Sequence, residues 1–175
     1  MSEQKDISGK IPPQDIDAER SVLGALMIDP IASNDVFGKL KAAHFYRPSH
    51  AKVYEVIVGL AEENEPVDEI TVASGLEAKG ELESVGGRAY LTELTNRLPS
   101  AANIEYHAGI VLKHALMRSL ISVANSISSA GYEGTTDVSD LLDKAESKIF
   151  EITRHQRASA RRRGFLYRGQ PRPPR

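Results

Sequence analysis

His107 and His114 stand seven residues apart in a stretch that reads as helix, which places them two turns apart along one side, too distant to share a small metal. His44 and His50 have no acid at ligand spacing and read as surface or capping residues. Glu62, Glu63 and Glu65, or Glu81 and Glu83, are close enough to serve as carboxylate pairs. They fall at helix ends and turns, however, where solvation explains them better than acid–base work. A hydrolase reading rests on nothing beyond these scattered carboxylates. The chain has no cysteine, which removes thiolate zinc sites, cysteine nucleophiles and disulfides together and fits a reducing cytoplasm.

Phosphate chemistry needs clustered glycines for close backbone approach and a lysine for charge, and no Gly-x-x-x-x-Gly-Lys-Ser/Thr run is present. ATP hydrolysis is therefore not expected, and no cofactor or metal is expected in this chain. Gly86-Gly87-Arg88 reads as a turn with unusual backbone angles rather than an anion site. Phe45, Tyr46, Tyr54 and Tyr90 sit within apolar patterns without interleaved Lys or Arg, so they read as core rather than base-stacking platforms.

Charge is unevenly divided. Residues 1–153 hold all 24 acids against 14 Lys and Arg, a net of −10, while residues 154–175 hold eight Arg and no acid. Arg161, Arg162 and Arg163 head this basic stretch, the one credible nucleic-acid footprint. Its contact with phosphate would be non-specific and salt-sensitive. A polar leader without a signal-peptide core, and the lack of any membrane-length apolar run, point to a soluble, cytoplasmic protein with no membrane contact.

The elements that must position these residues are helical. At 41% apolar and 6% aromatic content without tryptophan, the chain suits one all-α domain: a compact helical head followed by a long αα-hairpin. Asp15 suits an N-cap ahead of Val22, Leu23, Leu26 and Met27, and that helix should stop near Asp29-Pro30. A short helix over Asn34–Leu40, another opening at Arg47-Pro48-Ser49 and closing at Glu63-Asn64, and a third capped by Asp68 and stopped by Gly80 follow. A short helix carrying Ala89 to Leu94 completes the head before Pro99-Ser100. Asn103–Ala130 can then run as one helix, Gly131 and Gly134 bracket a turn, and Val138 to about His155 returns.

The organisation expected is a flexible leader (1–10), a head (11–100), a hairpin (101–156) and a disordered Arg/Pro-rich tail (157–175). Val138, Leu142, Ala145, Ile149 and Ile152 alternate spacings of four and three as a seam, matched by Leu112, Leu116, Leu120, Val123 and Ile127. A second stripe, Ile110, Met117, Ile121 and Ala124, is wider than one partner helix covers. A second copy of the chain is the economical cover, making Ile110, Leu112, Leu116, Met117, Leu120, Ile121, Val123, Leu142 and Ile149 the expected oligomer interface. Periodicity alone leaves open that the hairpin folds back over the head.

Several blocks now fall into a known order. Pro12-Pro13-Gln14-Asp15-Ile16-Asp17-Ala18-Glu19-Arg20-Ser21-Val22-Leu23-Gly24 resembles the opening of the DnaB-like replicative helicases. His44-Phe45-Tyr46 with His50, Pro66-Val67-Asp68, Val85-Gly86-Gly87-Arg88-Ala89-Tyr90-Leu91 and Pro99-Ser100-Ala101-Ala102-Asn103-Ile104 resemble successive blocks of that family's amino-terminal domain, across about residues 11–155. The resemblance implies a non-catalytic domain of DNA replication and the primosome. In it, hairpins pair into dimers and three dimers form the collar of a hexamer. It also implies docking of the carboxy-terminal domain of primase, and a helicase loader as a further candidate partner. ATP and magnesium belong to the family's motor domain, which also carries DNA, and no motor residue can be carried over here.

After His155 the pattern departs from the family's linker and motor. The Arg, Pro and Gly richness of residues 157–175 cannot build a core, and a shifted reading frame or a vector-derived extension explains it better than an evolved arm. The rival reading is a stand-alone helical dimer that binds nucleic acid through this basic tail.

Overall fold

The structure, a computed structural model, describes residues 10–29, 34–96, 103–134 and 137–166. Among the described residues every regular element is helical. Helix α1 (Ile16–Ile28) starts where the Asp15 carboxylate accepts from Ala18 N at 2.9 Å, and it ends at Asp29, ahead of Pro30, as its sequence requires. Val22, Leu23 and Leu26 on α1 are fully enclosed, and α1 packs on three later helices, so it is the centre of the head.

Helix α2 (Asn34–Phe37) is shorter than the expected Asn34–Leu40, because the amides of Lys39 and Leu40 both turn back to Val36 O after Gly38. An unforeseen 3-10 turn (Ala42–His44) follows. Helix α3 (Pro48–Glu62) opens with Pro48 in its first turn and closes before Asn64, whose φ of 58° reverses the chain. Helix α4 (Glu69–Ala78) is capped by Asp68, and Gly80 leaves it at φ 68°. The sequence also gave no warning of α5 (Leu82–Val85), a single turn that buries Leu82 and Val85 before Gly86 swings to φ 111° and α6 (Gly87–Asn96) begins.

Helix α7 (Ile104–Glu133) spans 30 residues, about 45 Å. Gly131, expected in the turn, lies inside it, and Gly134 at φ 64° ends it. Its first turns belong to the head: Ile104, Ala108, Val111 and Ala115 are buried, most of them in one core with α1, α3, α4 and α6. The head therefore reaches well past residue 100, and the hairpin separates from it partway along α7. Helix α8 (Val138–Leu166) packs on α7 and continues past His155 to Leu166. Arg and Ala are strong helix formers and no proline intervenes before Pro171, so Arg161, Arg162 and Arg163 lie on this helix rather than in an unstructured tail. Residues 167–175, the leader 1–9 and the Pro99–Ala102 block lie outside the described residues.

The hairpin seam also differs from expectation. On α8 the half-buried apolar residues are Leu141, Ala145 and Ile152, whereas Val138, Leu142 and Ile149 are 70%, 60% and 47% exposed. The two registers share Ala145 and Ile152, and the observed one admits Lys148, whose Nζ donates to Ser126 Oγ on α7 at 2.9 Å. Apolar spacing could not separate them, because a polar residue at the seam is tolerated when its head group finds a partner.

Candidate functional site

Two polar residues open two apolar stripes. Glu19 precedes Val22, Leu23 and Leu26 on α1, and His50 precedes Val53, Tyr54 and Ile57 on α3, each at helical spacing, so both are carried into the core. There Glu19 and His50 are 2% and 0% exposed and in contact, with His50 Nδ1 2.6 Å from Glu19 Oε2. The expectation of a surface or capping His50 fails, because its acidic partner comes from another helix, where sequence spacing has no bearing. The imidazole Nε2 lies 2.6 Å from the hydroxyl of Tyr90 on α6, and that hydroxyl in turn accepts from Arg20 Nε at 3.3 Å.

Arg20 Nε–H donates to Tyr90 O, and with Nδ1–H donating to Glu19 and Nε2 accepting from the Tyr90 hydroxyl, one imidazole tautomer leaves no member of this chain without a partner. Glu19 takes two further donors, Tyr46 N at 2.5 Å and Arg47 N at 3.4 Å, at the start of α3. Arg47 makes no side-chain cap of its own, so a carboxylate reaching across from α1 supplies the negative charge that a helix N-terminus favours. The cluster has the partners of a carboxylate–histidine–hydroxyl relay, but its first two members are sealed from solvent. It ties α1, α3 and α6 together and offers no substrate a path.

A second polar junction joins the head to the hairpin. Arg118 on α7 donates to Pro13 O at 2.8 Å and His44 O at 2.6 Å, and its guanidinium lies 5.6 Å from the centre of the Tyr46 ring. Burial lowers its pKa, and electrostatic interaction with Glu19 and then Tyr46 acts in the opposite sense. Among the described residues it forms no ion pair, so two carbonyls and an aromatic face receive this cation.

Beyond Arg118 the hairpin is open. Met117, Leu120 and Ile121 on α7 are 44%, 48% and 44% exposed, and Val138, Leu142 and Ile149 line α8. Lys148–Ser126 pairing and the short connection make α7 and α8 antiparallel. At about 100° per residue, the exposed stripe on α7 is turned by about 100° from its half-buried line Val123, Ile127 and Ala130. On α8 the exposed stripe is turned by about 60° from Leu141, Ala145 and Ile152, in the same sense. Equal senses on helices of opposite direction put both stripes on one side of the hairpin. Of the other expected interface residues, Ile110 and Leu112 are partly covered by the head, and Leu116 and Val123 are half-buried.

Residues 11–113 match the family described as DnaB-like helicase N terminal domain, more than half of the chain. The chain belongs to this family. It is 41% identical over 153 residues to the replicative DNA helicase DnaB of Geobacillus stearothermophilus and 42% identical over 154 residues to the replicative DNA helicase DnaC of Bacillus subtilis. These alignments take in 87% and 88% of this chain but 34% of each relative, so the chain spans about a third of their length. The crystal structure of the N-terminal domain of DnaB helicase from Mycobacterium tuberculosis superposes with a TM-score of 0.77 at 40% identity, over 81% of this chain and 99% of that one. A structure of a DnaB-like replicative helicase and its interactions with primase gives 0.66 at 25% identity, over 81% of this chain and 31% of that one.

Within this DnaB-like domain, three of the blocks that carry the resemblance meet in one place. Glu19 and Arg20, His44 to His50, and Tyr90 are brought together by α1, α3 and α6. Residue type alone draws attention to His50 and Tyr90 but gives them only surface or core roles, and it passes over Glu19 and Arg118. The available signal was a polar residue at the head of an apolar helical stripe, which Glu19 and His50 both satisfy. Among the described residues no helix is long and apolar enough to cross a membrane, and no cluster of three or more His, Asp or Glu is placed to hold a metal.

Proposed function

We propose that this chain is a non-catalytic assembly and docking domain of a replicative DNA helicase. Its hairpins pair about a two-fold axis, pairs build a collar as a trimer of dimers, and the collar receives the carboxy-terminal domain of primase in the cytoplasm. The observation that carries this reading is the one-sided apolar surface formed by Met117, Leu120 and Ile121 with Leu142 and Ile149. Family membership supports the replication role, and the relative described with its interactions with primase supports the docking role. Catalysis, ATP and magnesium are assigned to the part of the helicases that this chain does not span.

The energetics set how the reading is tested. Covering the remaining half of five such side chains on each of two copies recovers on the order of 10 kcal/mol at about 25 cal/mol/Å². The cost of association is of similar size, so pairing of this chain alone is concentration-dependent. Light scattering across a concentration series, with and without residues 157–175, is the experiment. Mass rising to a dimer or hexamer without the tail, and falling to a monomer on Leu120→Glu, supports the assembly reading. A strict monomer overturns it, and DNA affinity that disappears with the tail favours the nucleic-acid-binding alternative. Primase docking is tested by titrating its carboxy-terminal domain into this chain by calorimetry, where absence of heat at high concentration refutes it.

A further inference from the structure

The buried cluster and the hairpin base share one short segment. Residues His44 to Arg47 are held on one side by Glu19, which accepts from the amides of Tyr46 and Arg47, and on the other by Arg118, which donates to His44 O and lies against the Tyr46 ring. Arg118 also holds Pro13 O, two residues before the cap of α1, the helix that carries Glu19. The 3-10 turn that ends at His44 carries its own cap, Lys41 N donating to His44 Nδ1, but Arg47 gives α3 no side-chain N-cap bond, so the amides of Tyr46 and Arg47 are held by the Glu19 carboxylate from another helix. Among the described residues Arg118 is the last on α7 to hydrogen-bond into the head, and the exposed apolar stripe begins beside it at Met117.

We infer that Glu19 is a positioning residue for the hairpin: acting through Tyr46 and Arg118, it sets from inside the head the direction in which α7 leaves it. This deepens the assembly reading and rests on it for its consequence, because two stripes can meet about a two-fold axis only if each hairpin leaves its head at one angle. Removing the charge of Glu19 puts an amide NH₂ in place of one oxygen, opposite either the Tyr46 amide or the Arg47 amide and His50 Nδ1, which loosens residues 44–47 and takes away the negative charge that acts on Arg118. A flat carboxylate accepting several N–H groups is not replaced by an amide of equal shape.

The absence of cysteine allows a direct test in the whole chain. Ser74→Cys on α4 and Ser128→Cys on α7, both exposed positions, take spin labels as the only two thiols, and the label-to-label distance is measured with unlabelled chain in excess. Glu19→Gln and Tyr46→Ala are compared with Val72→Ala, which loosens the core away from this junction. The expected result is one narrow distance for the parent and for Val72→Ala, and a broadened or shifted one for Glu19→Gln and Tyr46→Ala, with helix content retained. Self-association weakens about tenfold in the same two variants, as loss of a charge-assisted contact predicts. Unchanged distances in a folded Glu19→Gln, or equal broadening in Val72→Ala, overturn the inference. If Glu19→Gln does not fold, Tyr46→Ala decides in the same way. A parent that is monomeric throughout sinks the assembly reading, while the distance still judges Glu19.

Discussion

Glu19 and His50, 31 residues apart in the chain, meet at 2.6 Å in a site closed to solvent. Their contact explains why two polar side chains are tolerated at the heads of apolar stripes: each provides what the other lacks, and Tyr90 satisfies the remaining ring nitrogen.

Breaking that contact is costly. His50→Ala leaves a buried carboxylate with two amide donors but no imidazole, and is expected to destabilise the domain by about 3 kcal/mol. His50→Gln, which restores one donor, costs less. Urea denaturation followed by far-ultraviolet circular dichroism ranks the two, and equal midpoints for parent and His50→Ala would contradict the account.

Gly86 and Gly80 make a matched pair. Both have positive φ, at 111° and 68°, but a Cβ on Gly86 would sit 2.8 Å from Tyr90 Cβ, whereas nothing lies within 4 Å of one on Gly80. Gly80→Ala should cost about 1 kcal/mol for backbone strain alone. Gly86→Ala should cost clearly more and displace Tyr90 from His50. Thermal melts compare the totals, and the nuclear magnetic resonance signals of the His50 ring report the displacement.

Asp68 governs an acid-sensitive step at the start of α4. Backbone donation from Thr71, with further help from the Thr71 side chain and Ile70 N, holds its carboxyl below the ordinary value of 3.8. A depressed folded-state pKa means that this stabilisation is complete above the ordinary value and disappears as pH falls through the depressed one. Asp68→Ala should therefore cost about 1 kcal/mol near neutrality and almost nothing in strong acid. Melting temperatures of parent and variant across an acid series should converge.

Tyr54 acts at the alkaline end. Burial pushes its hydroxyl well above the ordinary value of 10.0, so its contribution is intact below that value and is lost as pH rises beyond it. Tyr54→Phe removes this alkaline liability along with the hydrogen bond to Leu40 O, at a cost of about 1 kcal/mol near neutrality. Parent and variant stabilities should approach each other in base, and a constant gap would be the contrary result.

Sequence reading reached the helices whose ends carry their own chemistry. Asp15 and Asp68 cap α1 and α4, Pro48 opens α3, and Gly80 and Gly134 release their helices, all through contacts within a few residues. It did not reach α5 or the 3-10 turn, which are single turns held by what they pack against. The same limit explains the hairpin. The apolar residues along α7 form one unbroken pattern, yet the head covers Ile104, Ala108 and Val111, while Met117, Leu120 and Ile121 remain open.

From its amino acids alone the chain is determined to be helical, to belong by its ordered blocks with the DnaB-like domains, and to lack a phosphate-binding loop, because these properties reside in local spacing and residue type. Tertiary structure decided that Glu19, His50 and Tyr90 form one buried unit, that Arg118 fastens the hairpin, and that the apolar stripes of α7 and α8 lie on one side. Those outcomes depend on which faces of distant helices meet, and periodicity specifies a face without naming what covers it.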